Sequence, residues 1–307
     1  MKNNFLKSNK FMNLKYWIKA ARLRTLPLAF SCIITGAALA VQQEKFSISI
    51  FLLALFTTLL LQILSNYAND YGDAVSGKDD NRIGEQRMVA SGKIAPEQMK
   101  KAVILFSVLS FLSGLFLIFL SFENYLNILL FIALGIAAIW AAIKYTAGKN
   151  PYGYSGYGDI FVFIFFGLVG VLGSVYLYTN SFEWQNIFPA IAMGCLATAV
   201  LTLNNLRDVK NDAATGKRTS IVKMGFDKGK GYFAILIITA MISMIIFALL
   251  SHFENRQYIF LLAVILLSSI IKKVLNTNQT EQMDPFLKRT ALATFFLSVL
   301  FFGAMFI

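Results

Sequence analysis

The stretch "FLLALFTTLLLQILSNYANDYGDAVSGK", residues 51–78, changes character halfway along. Residues 51–65 carry no charge. Asn66, Asn69, Asp70 and Asp73 then arrive in quick succession, followed by Asp79, Asp80, Arg82, Glu85 and Arg87. An apolar run of this kind suits a helix in hydrocarbon, where an ionised side chain is expensive. Acids at its end therefore mark either a solvated turn or a working site, and the rest of the chain has to decide which.

The chain has 307 residues, 57% hydrophobic and 14% charged, with a mean hydropathy of +0.63. A soluble domain of this length exposes more charge. Apolar runs long enough to cross a ~30 Å hydrocarbon layer as helix recur at roughly 25–42, 47–68, 101–121, 125–144, 160–179, 186–206, 231–251, 257–275 and 288–306. The expected fold is all-α: a polytopic membrane protein with nine transmembrane helices in one bundle.

A net charge of +12 would suggest nucleic acid in a soluble chain, but its distribution points to a membrane surface instead. All of the 28 Lys and Arg except Lys45 and Arg256 fall before the first run or after the second, fourth, sixth and eighth. The positive-inside rule then places the N-terminus in the cytoplasm and the C-terminus outside, in a bacterial cytoplasmic membrane. Residues 1–24 read as a basic, interfacial segment, with Phe11, Leu14, Trp17, Ile18 and Ala21 at helical spacing. Residues 25–307 read as one transmembrane domain. The first apolar run continues as a full span, so no cleavable leader is expected. Cys32 and Cys195 lie inside apolar runs and are expected to be reduced, packed thiols. His252, the only histidine, is expected at an outer helix end.

A second polar cluster, "NNLRDVKNDAATGKRTS", occupies residues 204–220. A shift of 139 positions lays Asn66 on Asn205, Asn69 on Asp208, Asp73 on Asp212, Gly77 on Gly216 and Lys78 on Lys217. Four helices separate the two clusters, so both face the same side. The bundle is expected to hold two related four-helix units and a ninth helix. Asn69 and Asp73 are four apart, as are Asp208 and Asp212, so each pair shares a helix face one turn apart. Oxygen donors of this kind suit Mg²⁺, which takes one or two carboxylates and completes its shell with water and phosphate. The Gly-Lys steps that follow end a helix and place cations to meet an anion. Together they describe a metal and diphosphate site. As helix-end groups, its carboxylates are expected to contribute little to packing.

The segments "NDYGDAVSGKDDNRIG" and "NNLRDVKNDAATGKRT" resemble the two Asp-rich motifs of the intramembrane aromatic prenyltransferase superfamily. "ARLRTLPLAF", "YTAGKNPYGYSGYGDIFVFIFFGLVGVLGSVYL" and "DPFLKRTALAT" resemble one branch of it, the 1,4-dihydroxy-2-naphthoate polyprenyltransferases of menaquinone synthesis. The likeness covers nearly the whole chain. Where the commoner first motif carries a third acid, this chain has Gly77, with Asp79 two residues on, and the naphthoate branch is similar there. The resemblance implies transfer of a polyprenyl group from its diphosphate to 1,4-dihydroxy-2-naphthoate, with loss of CO₂.

Under that reading Asn69, Asp73, Asp208 and Asp212 are the expected Mg²⁺ ligands, supported by Asp70 and Asn66. Arg82, Arg87, Lys217 and Arg218 are expected to grip phosphate oxygens. An allylic cation needs shielding from water, which aromatic faces provide. Tyr145, Tyr152, Tyr154 and Tyr157 crowd one loop, where they read either as such a shield or as an interfacial belt. Asp159 reads as a helix cap or as the residue that orients the acceptor. Gly167, Gly170 and Gly173 read as close helix packing. Transfer to another acceptor, such as 4-hydroxybenzoate, homogentisate or haem, stays open. A CDP-alcohol phosphotransferase would hold its acids in one contiguous motif, and a cation-coupled transporter would place them nearer the midplane.

Overall fold

The computed structural model describes residues 14–77 and 86–307, and nine helices among them are long and apolar enough to cross a membrane. The chain is a multi-pass membrane protein. Phe11, Asp79, Asp80, Arg82 and Glu85 lie outside the described residues. Helix α1 (Leu14–Ala21), within the segment expected to be interfacial, docks against α3 (Ile48–Val75). Trp17 meets the Tyr67 ring edge-on at 5.5 Å, and the Tyr67 hydroxyl donates to the Trp17 carbonyl. Leu14 and Ile18 point outward, as a helix lying on lipid requires. Arg22, in the left-handed region at φ 47°, turns the chain from α1 toward α2 (Leu26–Gln42), with Pro27 in the first turn of α2.

α4 (Pro96–Ser121) and α5 (Tyr125–Lys144) complete the first unit. The second consists of α6 (Gly158–Thr179), α7 (Ile187–Ala214), α9 (Phe226–Leu250) and α10 (Leu262–Leu275). A short helix, α8 (Ser220–Met224), precedes α9, and α11 (Asp284–Ala304) packs along α2 to close the bundle. The repeat seen in the sequence is visible in the helices themselves. α3 and α7 are both 28 residues long, and they begin at positions 139 apart. Each packs most heavily on its next long helix, α3 on α4 and α7 on α9. α3 and α7 continue about two turns beyond the apolar runs, so the acids ride on helix rather than on loop. Gly77 and Gly216 end that extension in the same left-handed conformation, at φ 67° and 75°.

The interior of α6 is not an α-helix. Phe163–Gly173 is a π-helix, whose hydrogen bonds reach the fifth residue and widen the turn. This changes the expected glycine stripe, because residues three apart no longer share a face. A Cβ on Gly167 would lie 2.5 Å from the Ala190 carbonyl of α7, and one on Gly170 would lie 3.1 Å from Cys32 of α2. A Cβ on Gly173 would meet only ordinary contacts, with Phe131 at 3.9 Å. Gly167 and Gly170 are close packing contacts, and Gly170 and Gly173 both line a cavity. Cys32 and Cys195 are both free and buried, and His252 is exposed where α9 ends.

Candidate functional site

Asn66, Asn69, Asp73, Arg87, Tyr145, Asp208, Asp212 and Lys217 all line one polar cavity of about 230 Å³ at the acid-bearing end of the bundle. The repeat is respected in detail, since Asn205, the partner of Asn66, lines it too. At the floor this cavity shares Gln62, Ser65, Val162 and Phe166 with an apolar chamber of about 300 Å³ between α2, α3, α4, α5 and α6. The polar cavity and the apolar chamber are thus neighbours, with these four side chains at their common wall.

Asp73 is the most heavily engaged acid. Arg87 donates to one oxygen at 2.6 Å; the Tyr154 hydroxyl and the Lys217 ammonium donate to the other at 2.6 and 3.1 Å. Lys217 also stands 3.8 Å from Asp212, with the Tyr154 ring beneath it at 4.8 Å. The first acid cluster and the second therefore share a cation across the cavity. Asp208 receives two bonds of 2.7 Å from Arg207, a side chain only 2% exposed. The expectation that these acids matter little to packing needs correcting: Asp73 and Asp208 are buried in ion pairs with buried guanidinium groups, so removing either carboxylate costs a buried cation one of its partners.

The loop between α5 and α6 ties the two halves together. The Arg218 amide donates to the Tyr154 carbonyl, and the Lys223 ammonium to that of Ser155. On the other side Thr146 donates to Asn69 at 3.0 Å. A Cβ on Gly72 would sit 2.7 Å from Thr146 backbone atoms, so only glycine lets this loop press onto α3 one residue before Asp73. Tyr145 lines the cavity, and its phenol is held well above the ordinary tyrosine range, mainly by burial and further by Tyr152 and the acids Asp159, Asp73 and Asp212. It stays protonated and is available as a hydrogen-bond donor.

Other expected residues are placed elsewhere. Asp70 does not line the cavity; its two oxygens accept the Met88 and Val89 amides at 3.0 Å each. It holds the loop that carries Arg87. Asn66 lines the cavity but spends its amide on the Ala21 carbonyl and the Thr25 hydroxyl, fastening α3 to the α1–α2 corner. Arg218 is exposed, Tyr157 is exposed, and Tyr152 lines the apolar chamber while stacking on Phe161 at 4.0 Å. Asp159 sits in the first turn of α6 and faces Ser220 and Tyr232, and it lines neither cavity. Arg82 lies outside the described residues. Arg22, passed over in the sequence, lines the cavity beside Asn66. Its signal was its place in "ARLRTLP", between an interfacial helix and a proline-started span.

Among the described residues, no three acidic, histidine or cysteine side chains converge closely enough to hold a metal alone. The donor set still suits a hard divalent cation. Asp73 and Asp212 already share one cation, the Lys217 ammonium, and an ion with few protein ligands completes its shell with water and phosphate oxygens. Such an arrangement can hold an anionic head at one end and a hydrocarbon chain at the other.

Among the described residues, nine apolar helices surround a charged cavity set against an apolar chamber, an arrangement suited to anions with a lipid tail. The chain belongs to the UbiA prenyltransferase family, which matches residues 29–300. It is 43% identical to the 1,4-dihydroxy-2-naphthoate octaprenyltransferase of Haemophilus influenzae, over 96% of this chain and 98% of that protein. The enzyme of that name from Escherichia coli is also 43% identical, over 95% of each chain. In fold it is similar to a UbiA homologue from Aeropyrum pernix, with a TM-score of 0.67 at 12% identity over 91% of this chain and 96% of that one. A homologue from Archaeoglobus fulgidus, solved with GPP and Mg²⁺, gives a TM-score of 0.56 at 15% identity, covering 92% and 99%.

Proposed function

We propose that this protein transfers a polyprenyl group from polyprenyl diphosphate to 1,4-dihydroxy-2-naphthoate, with decarboxylation, giving demethylmenaquinone in its reduced quinol form, CO₂ and diphosphate. The observation that carries the proposal is the placement of the polar cavity directly against the apolar chamber, with four lining residues in common. The full-length likeness to two naphthoate prenyltransferases supports the acceptor. Asn69, Asp73, Asp208 and Asp212 would hold Mg²⁺, which when bound supplies Lewis-acid stabilisation of the leaving diphosphate. Arg22, Arg87 and Lys217 line the same space and meet phosphate oxygens. Lys217 can leave the carboxylates for phosphate when a metal replaces it between them. Tyr145 and Tyr154 line the polar cavity, where their rings would shield the cation formed as the C–O bond breaks. Val162 and Phe166, lining both spaces, keep water from the chain end. The test is incubation of purified protein with Mg²⁺, a labelled prenyl diphosphate and a panel of aromatic acids, with the product identified by mass. A product from 4-hydroxybenzoate and none from the naphthoate would reassign the acceptor.

The chamber predicts a donor effect. Gly135 lines it, and an added Cβ there meets no atom within 4 Å. Gly135→Leu should therefore fold normally yet fill space the prenyl chain needs, a penalty of roughly 1–3 kcal/mol in long-donor binding. Relative kcat/KM for long over short prenyl diphosphates is expected to fall about 5–100-fold. An unchanged ratio would place the chain elsewhere.

The loops at residues 66–100 and 205–230 are assigned to the cytoplasm and the C-terminus to the outside. A cysteine at position 215 (Thr215→Cys) should react with an impermeant maleimide only after the cells are opened. Labelling in intact cells would invert the topology.

A further inference from the structure

Three stretches far apart in the chain meet in one string of charges at the acid-bearing end of the bundle. Arg24, from the turn before α2, lies 3.8 Å from one oxygen of Asp284, the first residue of α11. The other oxygen of Asp284 accepts from Arg207 Nη1. Arg207 then places Nε and Nη2 on the two oxygens of Asp208, and Nη2 also donates to Asn204 at 2.8 Å. The signs alternate along the string: plus, minus, plus, minus. Arg207 is buried, whereas Arg24 and Asp284 are each over a third exposed.

We infer that Asp284 is a positioning residue for the metal and diphosphate site, acting on Asp208 through Arg207. The inference rests on the reading of Asp208 as a metal ligand. A guanidinium has five donors in a fixed fork. Here Asp284 engages one corner, which fixes the plane in which Arg207 presents the other two to Asp208. Each ionised carboxylate oxygen has two acceptor directions, so the paired grip leaves Asp208 able to reach the cavity. Asp284 also divides the charge of Arg207 between two carboxylates. Its loss takes one negative charge from beside a site that takes a divalent cation. Arg207 would then lose the anchor on Nη1 and bear more heavily on Asp208. Both changes weaken metal binding.

The sign of this effect separates it from a plain structural bridge between α7 and α11. Neutralising Asp284 should weaken the metal, whereas neutralising Arg24 leaves Asp284 to pull harder on Arg207 and should tighten it. A bridge alone would lose melting temperature in both variants and leave metal affinity untouched.

The experiment is a Mn²⁺ titration of the purified full-length protein, saturated with geranyl diphosphate and without aromatic acceptor, reading free Mn²⁺ by electron paramagnetic resonance. Asp284→Asn is expected to raise the apparent Mn²⁺ dissociation constant about tenfold, in the range of other outer-sphere metal supports. Asp284→Glu is expected to recover at least half of that loss on a logarithmic scale. Arg24→Gln should lower the constant by no more than about fivefold, the span of a half-exposed pair. It also keeps the idea testable should Asp284→Asn fail to fold. An unchanged constant in folded Asp284→Asn, or a raised one in Arg24→Gln, overturns the inference. A wild-type protein that binds no Mn²⁺ with the diphosphate present would instead overturn the metal-site reading on which it rests.

Discussion

Asp212→Asn is expected to lower prenyl transfer by roughly 10²-fold or more while the protein stays folded. The substitution keeps the shape of the side chain and removes one of the anionic donors from the cavity. Its stability cost is small because Lys217, which stands 3.8 Å from Asp212, is held more closely by Asp73 at 3.1 Å. Asp73 makes a poorer test. Its loss breaks a buried ion pair of 2.6 Å with Arg87, which costs roughly 3–5 kcal/mol, and a dead variant would then report on folding as much as on chemistry. Turnover at saturating Mg²⁺ and melting temperature should be measured on one preparation of Asp212→Asn. If the folded variant keeps more than about half of its activity, Asp212 is not a ligand.

Asp70→Ala should produce the largest loss of stability among the acids of the first cluster that leaves no buried cation behind. The Met88 and Val89 amides lose their acceptor inside the protein, where Met88 is 1% exposed. Two hydrogen bonds to a charged acceptor, with both donors then orphaned, are worth roughly 3 kcal/mol or more. Activity should fall as well, because Arg87 rides on the same loop. Urea denaturation in detergent measures the first effect and steady-state kinetics the second. Stability within about 0.5 kcal/mol of the parent, with activity gone, would move Asp70 from holding a loop to acting in the cavity.

Much of this could be read in the chain because hydrocarbon leaves backbone few choices. The nine spans and the paired acid clusters followed from apolar runs, charge asymmetry and one fixed displacement. The division of labour between Asp70 and Asp73 was also written there, in a finer pattern. Asn66, Asn69 and Asp73 are spaced by three and four, as are Asn205, Asp208 and Asp212, and that spacing draws one helix face toward the cavity. Asp70 falls a third of a turn away and meets a different neighbour. Asp159 was beyond such reasoning, since glycines on either side of it do not reveal which helix its carboxylate will face. The pairing of Arg207 with Asp284 joins positions 77 apart on unrepeated partners, and no periodicity connects them. The widened interior of α6 also has no counterpart in the pattern of "FIFFGLVGVLG", which reads equally well as ordinary helix.

The length of α3 and α7 has a consequence for depth. A helix of 28 residues rises about 42 Å, some 12 Å more than the hydrocarbon layer. At their other ends both helices turn apolar almost at once, with Ile48 and Ile187, so the surplus falls on the side of the acids. It amounts to about two turns, which are the turns bearing Asn69 with Asp73 and Asp208 with Asp212. The charged groups then fall at the height of lipid headgroups, and the apolar chamber deeper, at the height of acyl chains. Under the proposed function, a prenyl diphosphate resting in the bilayer would already have its head and tail at those two heights. Its charged end would not have to sink into hydrocarbon to reach the acids.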